Sequence, residues 1–429
     1  MRILVVSNAP LRKDNGLGNS LINIFGNIDD IEIASVYCRY GKTGTNLVKK
    51  SFQITEKGLI KNLKNKKIPS GKEIFPNENN DSYTEEPKSV EFVRKNRWSI
   101  LYLIRNIIWE IGRWKSDELL KFVDDFNPEI IFQPVFNAPH VNKIALFLKK
   151  YTDAPMICYN VDDNYSFRQV SFSPLYWIER LWTRKTVKKL IEHCELLYTI
   201  SKIQKEECEA VFTSPCKILT KCADFTGEPP IKSEYNKPLQ LVFTGNIGSN
   251  RWKTLALIAN VLKEFNREEV KAQLNIYTAT PITKNMSKKL EVKDSSFIRG
   301  AVPAKEIKRI QEEADILVHV EGFDLKNRCL LHQSFSTKIV DYCKEARPIL
   351  AVAPHDVASI DELRRNDGAM IVTSKEEIKP KLERLISSKD ILDEYSKKAY
   401  LCGRTNYDSK KLKNMISNDL RSAYEKGMK

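Results

Sequence analysis

The sequence predicts an α/β protein with two doubly wound, Rossmann-like domains. Short apolar segments alternate with helical segments along most of its 429 residues, and a polar segment with three prolines at 227–238 splits this alternation into two series. Continuous apolar runs are typical of strands that are buried on both faces of a parallel sheet. The chain is also too long for a single hydrophobic core. We therefore predict two domains that face each other across a cleft.

The N-terminal domain is predicted over residues 1–226. Its strands are expected at 3–6, 31–37, 130–132, 156–159 and 196–200. Its helices are expected to open near residue 20 and to cover about 94–115 and 174–192. Residues 41–93 are rich in Lys, Asn, Ser and Glu and lack a clear period. We therefore predict an irregular basic insertion there, with one short helix near Leu59.

The C-terminal domain is predicted over residues 239–395. Its strands are expected at 239–244, 274–278, 297–300, 316–320, 349–352 and 370–372, with helical segments between most of them. Such a βα series predicts a second parallel sheet covered by helices. The last residues, 396–429, have a helical pattern, and we expect these helices to pack back on the N-terminal domain.

The composition narrows the partners and the compartment. The 70 Lys and Arg exceed the 55 Asp and Glu, which gives a formal net charge of +15 and favours nucleic acid, acidic lipid headgroups or phosphorylated small molecules. The nine cysteines form no C-x-x-C pair and no metal-like cluster with the five histidines, so we expect a reducing compartment and no metal site. No signal-peptide core and no run of about 18 apolar residues occurs. We expect a cytoplasmic protein, peripheral on the inner face of the cell membrane.

Phosphate-binding residues are predicted where the first strand of the C-terminal domain meets its helix. The chain leaves this strand through Gly245, Asn246 and Gly248 and enters a helix near Lys253. Glycines let the backbone come close to a ligand, and the amides at a helix N-terminus attract phosphate oxygens. Arg251 and Lys253 add two cations at the same place. The alternative is an ordinary strand–helix turn with two solvated cations.

A second segment of suitable chemistry follows some eighty residues later. Ser336 and Thr337 are good cap residues for the next helix, and free hydroxyls there suit a diphosphate. Asp341, one turn further on, is placed to accept hydrogen bonds from vicinal ribose hydroxyls. The alternative is an ordinary capped helix with an exposed aspartate.

Several motifs occur in the order found in one enzyme family. They are TGNIG at 244–248 with RWK at 251–253, GAVP at 300–303, ADILVHVE at 314–321, SFSTKI at 334–339 with DY at 341–342, and APHDVASI at 353–360. Over roughly 196–372 the chain resembles the GT-B-fold glycosyltransferases of the retaining family 4 type. The resemblance is greatest to bacterial enzymes that build capsule, exopolysaccharide or lipopolysaccharide, and it is weaker over the N-terminal domain.

The resemblance implies roles for residues around a nucleotide-sugar donor. Arg251 and Lys253 are expected to neutralise the donor diphosphate. Three further residues, Ser336, Thr337 and Lys338, are expected beside the phosphates, and Asp341 on the ribose. Three positions depart from the family. The family's two glutamates, eight positions apart, are Gln333 and Asp341 here, and a glycine common before the following proline is Ala346.

A glycine-containing loop follows the first strand of the N-terminal domain. In the family such a loop reaches across the cleft toward the donor phosphate and the acceptor. Gly16 and Gly18 permit a close approach, and Asn19 is placed to donate a hydrogen bond across the cleft. A lone G-x-G is also compatible with a plain turn.

Two adjacent acids, Asp162 and Asp163, follow an apolar strand of the N-terminal domain. They lie at the carboxyl end of that strand, where open α/β sheets bind ligands. Family members carry a His or Asp near this point, so we expect one of the two to orient or deprotonate the acceptor hydroxyl. A structural role in a turn is the alternative.

The helix at 94–115 carries two stripes of large side chains. One stripe consists of Ile100, Ile104, Ile107, Ile108 and Ile111, which we expect to face the core. The other consists of Trp98, Tyr102, Arg105, Trp109 and Arg113. Aromatic rings beside arginines suit a membrane interface, so this stripe is predicted to face an anionic membrane surface. Packing of the same stripe against the 41–93 insertion or against the second domain is the alternative.

Together these features predict a metal-independent hexosyltransferase that uses a nucleoside-diphosphate sugar as co-substrate and needs no cofactor. The acceptor is expected to be a glycan or a lipid-linked glycan in bacterial surface-glycan synthesis, with retention of configuration. A sugar-nucleotide epimerase of the same fold and a non-enzymatic basic binding protein are the alternatives. An NAD-dependent oxidoreductase is disfavoured because the G-x-G loop lacks a third glycine, and nucleic acid is disfavoured because no recognisable module for it occurs.

Overall fold

The computed structural model describes residues 1–75 and 99–427. These residues form two compact units. The first unit comprises Met1–Thr220 together with Leu412–Lys429, and the second unit comprises Lys221–Lys411. The linker at 227–238 therefore belongs to the second unit, and the last helix belongs largely to the first.

The first unit is built on an eight-stranded sheet. Its strands are β1 (Arg2–Ser7), β2 (Glu32–Tyr37), β3 (Val48–Ile54), β4 (Gly71–Ile74), β5 (Ile130–Pro134), β6 (Met156–Asn160), β7 (Leu196–Thr199) and β8 (Cys216–Ile218). The helices between them are α1 (Gly16–Phe25), α2 (Glu56–Lys64), α3 (Ser99–Ile111), α4 (Asp117–Phe126), α5 (Pro139–Thr152), α6 (Pro174–Glu192) and α7 (Lys202–Glu209). The strand order is β4-β3-β2-β1-β5-β6-β7-β8. All neighbours are parallel except β3 and β4.

The second unit is built on a six-stranded, fully parallel sheet. Its strands are β9 (Leu239–Thr244), β10 (Ala272–Tyr277), β11 (Ser296–Gly300), β12 (Ile316–Val320), β13 (Ile349–Val352) and β14 (Met370–Val372). Its helices are α8 (Arg251–Phe265), α9 (Lys284–Leu290), α10 (Ala304–Glu313), α11 (Leu325–Leu331), α12 (Lys338–Lys344), α13 (Ala358–Arg365), α14 (Ile378–Leu385) and α15 (Lys389–Asn406). A last helix, α16 (Ser409–Gly427), ends the described chain.

The strand order reverses in the middle of each sheet. In the second unit the order is β11-β10-β9-β12-β13-β14, so the reversal lies between β9 and β12. In the first unit it lies between β1 and β5. Because the crossovers on either side of such a point run in opposite directions, a crevice opens at the carboxyl ends of the two central strands. The α/β prediction with two doubly wound domains is confirmed.

The start of helix α6 is determined by a local capping signal in the sequence. The hydroxyl of Ser173 accepts a hydrogen bond from the backbone N–H of Tyr176, and Pro174 occupies the first turn of α6. A serine cap followed by proline is a strong start signal for a helix. The predicted helix at 174–192 therefore coincides with α6.

The predicted insertion is wrong in being irregular for the part that the structure describes, whereas its predicted short helix near Leu59 is present as α2. Residues 48–74 contain β3, α2 and β4, and β3 extends the sheet parallel to β2. Phe52 and Leu59 are fully buried there. Lys49 and Lys50 interrupt the apolar pattern of β3, because this strand lies near the edge of the sheet and exposes part of its surface. The remainder of the predicted insertion, 76–93, lies outside the described residues.

Candidate functional site

The turn that leaves β9 shapes the candidate site of the second unit. Gly245 has a φ of 142°, and Ser249 and Asn250 have left-handed φ values of 52° and 60°. The side-chain oxygen of Asn246 accepts a hydrogen bond of 2.6 Å from the backbone N–H of Gly248. Asn246 therefore stabilises the turn itself, although its side chain is exposed. The turn delivers Arg251 to the first position of α8.

Arg251 forms a two-pronged ion pair with a buried carboxylate. Its Nε and one terminal nitrogen donate to the two carboxylate oxygens of Glu321, at 2.6 and 3.1 Å. Glu321 directly follows β12, and its side chain is only 4% exposed. Burial raises the pKa of Glu321, while the charges of Arg251 and Lys338 oppose that rise. A planar guanidinium matched to a carboxylate is the strongest form of such a pair.

Lys338, the first residue of α12, completes the group. Its Nζ donates a hydrogen bond of 2.9 Å to the carbonyl oxygen of Thr244. A Cβ atom on residue 245 would lie 1.7 Å from this nitrogen and would displace the amine, and the φ of 142° strains any other residue there. Burial and the charge of Arg251 lower the pKa of Lys338, whereas Glu321 and Asp341 act in the opposite direction. We call Arg251, Glu321 and Lys338 the charged cluster.

The charged cluster carries a surplus positive charge in a largely dry setting. Two cations face one buried carboxylate at the carboxyl ends of β9 and β12. His319, on β12, is buried, and its burial together with the charges of Arg251 and Lys338 lowers its pKa to about 3. His319 therefore stays neutral at physiological pH. A surplus cation among buried and half-buried groups favours an anionic ligand.

Lys253 does not join the charged cluster. It is exposed, and its Nζ lies 5.7 Å from the centre of the Trp252 ring. Residues two apart on a helix point about 200° away from each other, so α8 directs Arg251 and Lys253 to different sides. Lys253 instead lines a cavity of about 770 Å³ with Lys288 and Lys289. Lys253 therefore shares no buried partner with Arg251, and its predicted role at the donor diphosphate stays a prediction.

The remaining predicted donor residues lie around the start of α12. Thr337 occupies the cap position of this helix but makes no side-chain capping bond. The backbone N–H of Ser336 donates to the hydroxyl of Ser359 at 3.0 Å. Asp341 is 2.5 Å from Nζ of Lys221 and keeps a partly exposed carboxylate. These residues share one segment with Lys338, as the resemblance implied.

Glu321 and His319 also belong to the candidate site, although no role was predicted for them from the sequence. Both belong to the ADILVHVE motif, but no role was derived for either. The signal was present, because a histidine and a glutamate interrupt and end an otherwise apolar buried strand. Buried polar groups of this kind need partners or a function. Among the described residues, no group of three or more His, Cys, Asp or Glu side chains is placed to hold a metal ion.

In the first unit the glycine-containing loop opens α1. Asn15 caps this helix by accepting a hydrogen bond of 2.6 Å from the backbone N–H of Gly18. A Cβ atom on residue 18 would lie 2.5 Å from the carbonyl oxygen of Arg12, so Gly18 serves the packing of the loop itself. Gly16 and Asn19 are exposed, and nothing lies within 4 Å of a Cβ on residue 16. These two residues remain available to a ligand.

The two adjacent acids beyond β6 have different surroundings. The Asp163 carboxylate is buried, pairs with Arg180 at 3.0 Å, and accepts the backbone N–H of Ser166 at 2.8 Å. Its hydrogen-bonding capacity is used inside the first unit, so the structure gives Asp163 the turn role. Asp162 is exposed, and its backbone carbonyl accepts a hydrogen bond of 3.1 Å from the side chain of Gln204. Its predicted contact with the acceptor hydroxyl stays a prediction.

The predicted membrane stripe of α3 is wrong for its central residues. Trp109 is only 2% exposed, donates its indole N–H to Glu56 at 3.0 Å, and stacks on His140 at 4.3 Å. Burial lowers the pKa of Arg105, which lies 5.1 Å from the half-buried ring of Tyr102. Arg113 is exposed. Trp98 lies outside the described residues.

The isoleucine stripe of α3 was predicted to face the core, and this is also wrong. Ile100, Ile104, Ile107 and Ile111 are 42, 47, 47 and 61% exposed, whereas Ile108 packs partly against the core. An indole ring buries more area than an isoleucine and also finds a polar partner for its N–H. The face with Trp109 therefore turns inward.

Comparison with known proteins adds the fold relationship. No protein-family model and no curated protein sequence matches the chain. Among solved structures, Anabaena Alr3699/HepE in complex with UDP matches at 12% identity and a TM-score of 0.62, over 98% of this chain and 100% of that one. Sucrose-phosphate synthase from Thermosynechococcus elongatus matches at 8% identity and a TM-score of 0.64, over 99% of both chains.

A third neighbour is the Escherichia coli trehalose-6-phosphate structure with bound UDP-2-fluoro glucose. It matches at 13% identity and a TM-score of 0.60, over 98% of this chain and 99% of that one. These neighbours are GT-B glycosyltransferases. At such low identity the likeness concerns the backbone, and it covers almost the whole of each chain. The chain therefore has the GT-B fold.

Proposed function

We propose that the protein is a glycosyltransferase that moves a sugar from a nucleoside-diphosphate sugar to an acceptor hydroxyl. The charged cluster carries this proposal, because its surplus positive charge lies at the carboxyl ends of β9 and β12. Open α/β sheets bind their ligands at such a switch point. The neighbouring Alr3699/HepE structures contain UDP and UDP-glucose, which agrees with a nucleotide sugar as donor.

In this proposal the second unit stabilises the leaving group. Arg251 and Lys338 offset the negative charge that grows on the departing diphosphate, and charge stabilisation of this kind is usually the largest catalytic contribution. The bond from Lys338 to Thr244 holds the amine in place before the donor arrives. Ser336 and Thr337 donate hydroxyl hydrogen bonds to the phosphates, and Asp341 accepts from the ribose.

The first unit supplies the acceptor side. Asp162 orients the acceptor hydroxyl, while Gly16 and Asn19 line the approach at the start of α1. The acceptor oxygen attacks the face from which the diphosphate departs, and its proton passes to a phosphate oxygen of the leaving group. The configuration at the sugar carbon is then retained without a protein nucleophile. No metal ion or organic cofactor takes part.

We further propose a place for the reaction. The protein belongs with the family 4 enzymes and transfers a hexose to a glycan or lipid-linked acceptor in bacterial surface-glycan synthesis, such as capsule or lipopolysaccharide. No helix within residues 1–75 or 99–427 is long and apolar enough to cross a membrane. The enzyme then works in the cytoplasm and meets a lipid-linked acceptor at the inner face of the cell membrane.

Release of free nucleoside diphosphate tests the proposal. The protein is incubated with a panel of nucleotide sugars, with and without added lipid-linked glycan, and the free diphosphate is measured. Acceptor-dependent release from at least one sugar is expected. Conversion of the nucleotide sugar into its epimer without an acceptor would instead identify an epimerase.

A further inference from the structure

The first unit carries a large basic cavity. It has a volume of about 1250 Å³ and lies between the C-terminal end of α3, helix α5 and helix α6. Seven lysines and arginines line it, against the two acids Glu110 and Asp153. We call it the lysine cavity. None of its residues belongs to the proposed donor or acceptor site.

Only two of the seven cations of the lysine cavity form ion pairs with described residues, Lys143 with Glu110 and Lys149 with Glu195 at 3.8 Å. Lys185 and Lys189 lie one turn apart on α6 and face Lys143 of α5. Burial lowers the pKa of Lys143, and the charges of Lys185 and Lys189 lower it further. Like charges held this close are unfavourable unless a counter-charge joins them. The cavity is therefore suited to an anionic group.

Aromatic side chains form the walls of the lysine cavity. Trp114 packs edge-on against Phe147 with 5.4 Å between ring centres, and Nζ of Lys115 lies 4.8 Å from the Phe147 ring. Trp182 lines the opposite side, 5.6 Å from Nζ of Lys143. Aromatic rings next to lysine ammonium groups provide apolar surface and positive charge side by side, which is typical of residues at a membrane interface.

Unpartnered polar groups lie at the inner end of the lysine cavity. A small adjoining cavity of about 10 Å³ shares Trp114, Lys143 and Trp182 with it and is also lined by Asn106 and His140. Asn106 and His140 are 2% and 4% exposed. Both amide atoms of Asn106 and both ring nitrogens of His140 find no hydrogen-bond partner among the described residues. Such groups are rare in a folded core, and a cavity of about 10 Å³ has room for one ordered water at most.

An exposed apolar face borders the lysine cavity. Ile100, Ile104, Ile107 and Ile111 recur every three or four residues on the outside of α3 and are 42 to 61% exposed. We call them the isoleucine face. Ile111 lies between Glu110 and Gly112, which both line the cavity.

Helix α6, which packs against α3, extends this apolar surface. Its Ile178 and Leu181 are 50% and 54% exposed. Several exposed apolar side chains on two packed helices beside a basic cavity indicate an interaction site.

We propose that the lysine cavity and the isoleucine face together dock the first unit on an anionic lipid bilayer. A lipid phosphate enters the lysine cavity, and the isoleucine face lies among the upper parts of the acyl chains. Charge complementarity and the adjoining apolar side chains select this partner, because a soluble acidic glycan matches the cavity but gains nothing from exposed isoleucines. A second copy of the chain is disfavoured because it brings the same positive charge. The proposal rests on the proposed function in one respect, since a lipid-linked acceptor lies in the same membrane.

Sedimentation with lipid vesicles tests the docking surface. The parent protein is expected to bind vesicles of phosphatidylcholine with phosphatidylglycerol, to bind pure phosphatidylcholine poorly, and to bind less tightly as salt rises. Each cation near an anionic surface contributes about a fivefold gain in binding, so Lys185→Gln with Lys189→Gln is expected to lose about 25-fold. Ile104→Ser with Ile107→Ser is expected to lose at least about tenfold.

Matched controls separate these losses from general effects. Lys202→Gln with Lys205→Gln removes the same charge from α7, where both lysines pair with glutamates. Leu325→Ser with Leu401→Ser removes two exposed leucines from the second unit. Both control proteins are expected to bind anionic vesicles like the parent. Thermal unfolding of every variant confirms that it is folded.

Several outcomes overturn the docking proposal. One is binding of the lysine or isoleucine variants to anionic vesicles as tightly as the parent. Another is competition by inorganic phosphate that abolishes binding while the isoleucine variant behaves like the parent, which would indicate a soluble anion. Calorimetry with UDP on the same samples keeps the two proposals apart. Intact UDP binding without vesicle binding defeats only the docking surface, and vesicle binding without nucleotide binding defeats only the proposed function.

Discussion

Arg251→Ala and Lys253→Ala are expected to behave very differently, although the two residues lie two positions apart. Arg251 donates two hydrogen bonds to the carboxylate of Glu321, and that carboxylate is only 4% exposed. Lys253 is exposed and lines a cavity of about 770 Å³. Removing Arg251 therefore leaves a buried charge without its main partner, whereas removing Lys253 leaves nothing buried.

The expected magnitude follows from this geometry. Breaking a buried ion pair by removing one partner costs about 3–5 kcal/mol. The Arg251 side chain is 24% exposed, so water reaches the site in the variant and we expect the lower end, about 3 kcal/mol. For a unit of this size that corresponds to a fall in melting temperature of about 6–12 °C. Lys253→Ala is expected to change the free energy of unfolding by less than about 0.5 kcal/mol.

A second substitution isolates the cause. Adding Glu321→Gln to Arg251→Ala removes the stranded charge, so the double variant is expected to be more stable than Arg251→Ala alone. The same proteins are titrated with UDP in a calorimeter. Arg251→Ala is expected to lose about 1.5–3 kcal/mol of binding free energy, the usual value for a hydrogen bond to a charged group. Equal effects of Arg251→Ala and Lys253→Ala on both stability and binding would refute the reasoning.

Three further predictions follow from the two units. His319 has a pKa of about 3 when folded and 6.5 when unfolded. Between these values the unfolded chain binds a proton that the folded protein excludes, so the free energy of unfolding is highest above pH 6.5 and falls as the pH drops toward 3. Lowering the pH from 7 to 5 is expected to cost about 2 kcal/mol of unfolding free energy, and urea titrations of His319→Gln should show a weaker pH dependence. Sugar transfer is expected to persist in excess chelator, and restoration of lost activity by Mn²⁺ or Mg²⁺ would contradict this. Asp162→Asn is expected to slow transfer by about 100-fold or more, whereas Asp163→Asn chiefly lowers the melting temperature; the reverse pattern would exchange their roles.

Much of the fold was predictable because buried parallel strands leave a simple signature. The apolar runs of β9, β12, β13 and β14 gave the correct strands, since each is covered on both faces. β3 was missed because Lys49 and Lys50 break its pattern at a strand near the sheet edge. Edge strands carry polar side chains for solubility, so their sequences look like loops.

The orientation of α3 shows a different limit. Both of its stripes are rich in large apolar side chains, so helical periodicity alone does not say which one is buried. The outcome depends on Glu56 and His140, which meet Trp109 from two other helices. Those contacts depend on how the three helices pack together, so they cannot be predicted from the sequence of α3 alone.

Residues of the candidate site were likewise predictable only where they lie in a local motif. Arg251, Lys338 and Gly245 were identified because each lies in a local motif at the end of a strand or the start of a helix. Glu321 was not assigned, because it is 70 residues from Arg251 and meets it only through the pairing of β9 with β12. The order of strands in the sheet determines which distant residues come into contact, and the apolar segments of the sequence do not reveal that order.

Calorimetric titration of the parent protein and Lys338→Ala with nucleoside diphosphates tests the central claim most directly. The account predicts saturable binding of at least one of UDP, GDP or ADP by the parent. It also predicts at least about a tenfold loss in Lys338→Ala, because the amine that rests on Thr244 is one of the two cations for the diphosphate. Tight binding that is unchanged in Lys338→Ala, or no binding of any nucleoside diphosphate by the parent, would contradict it.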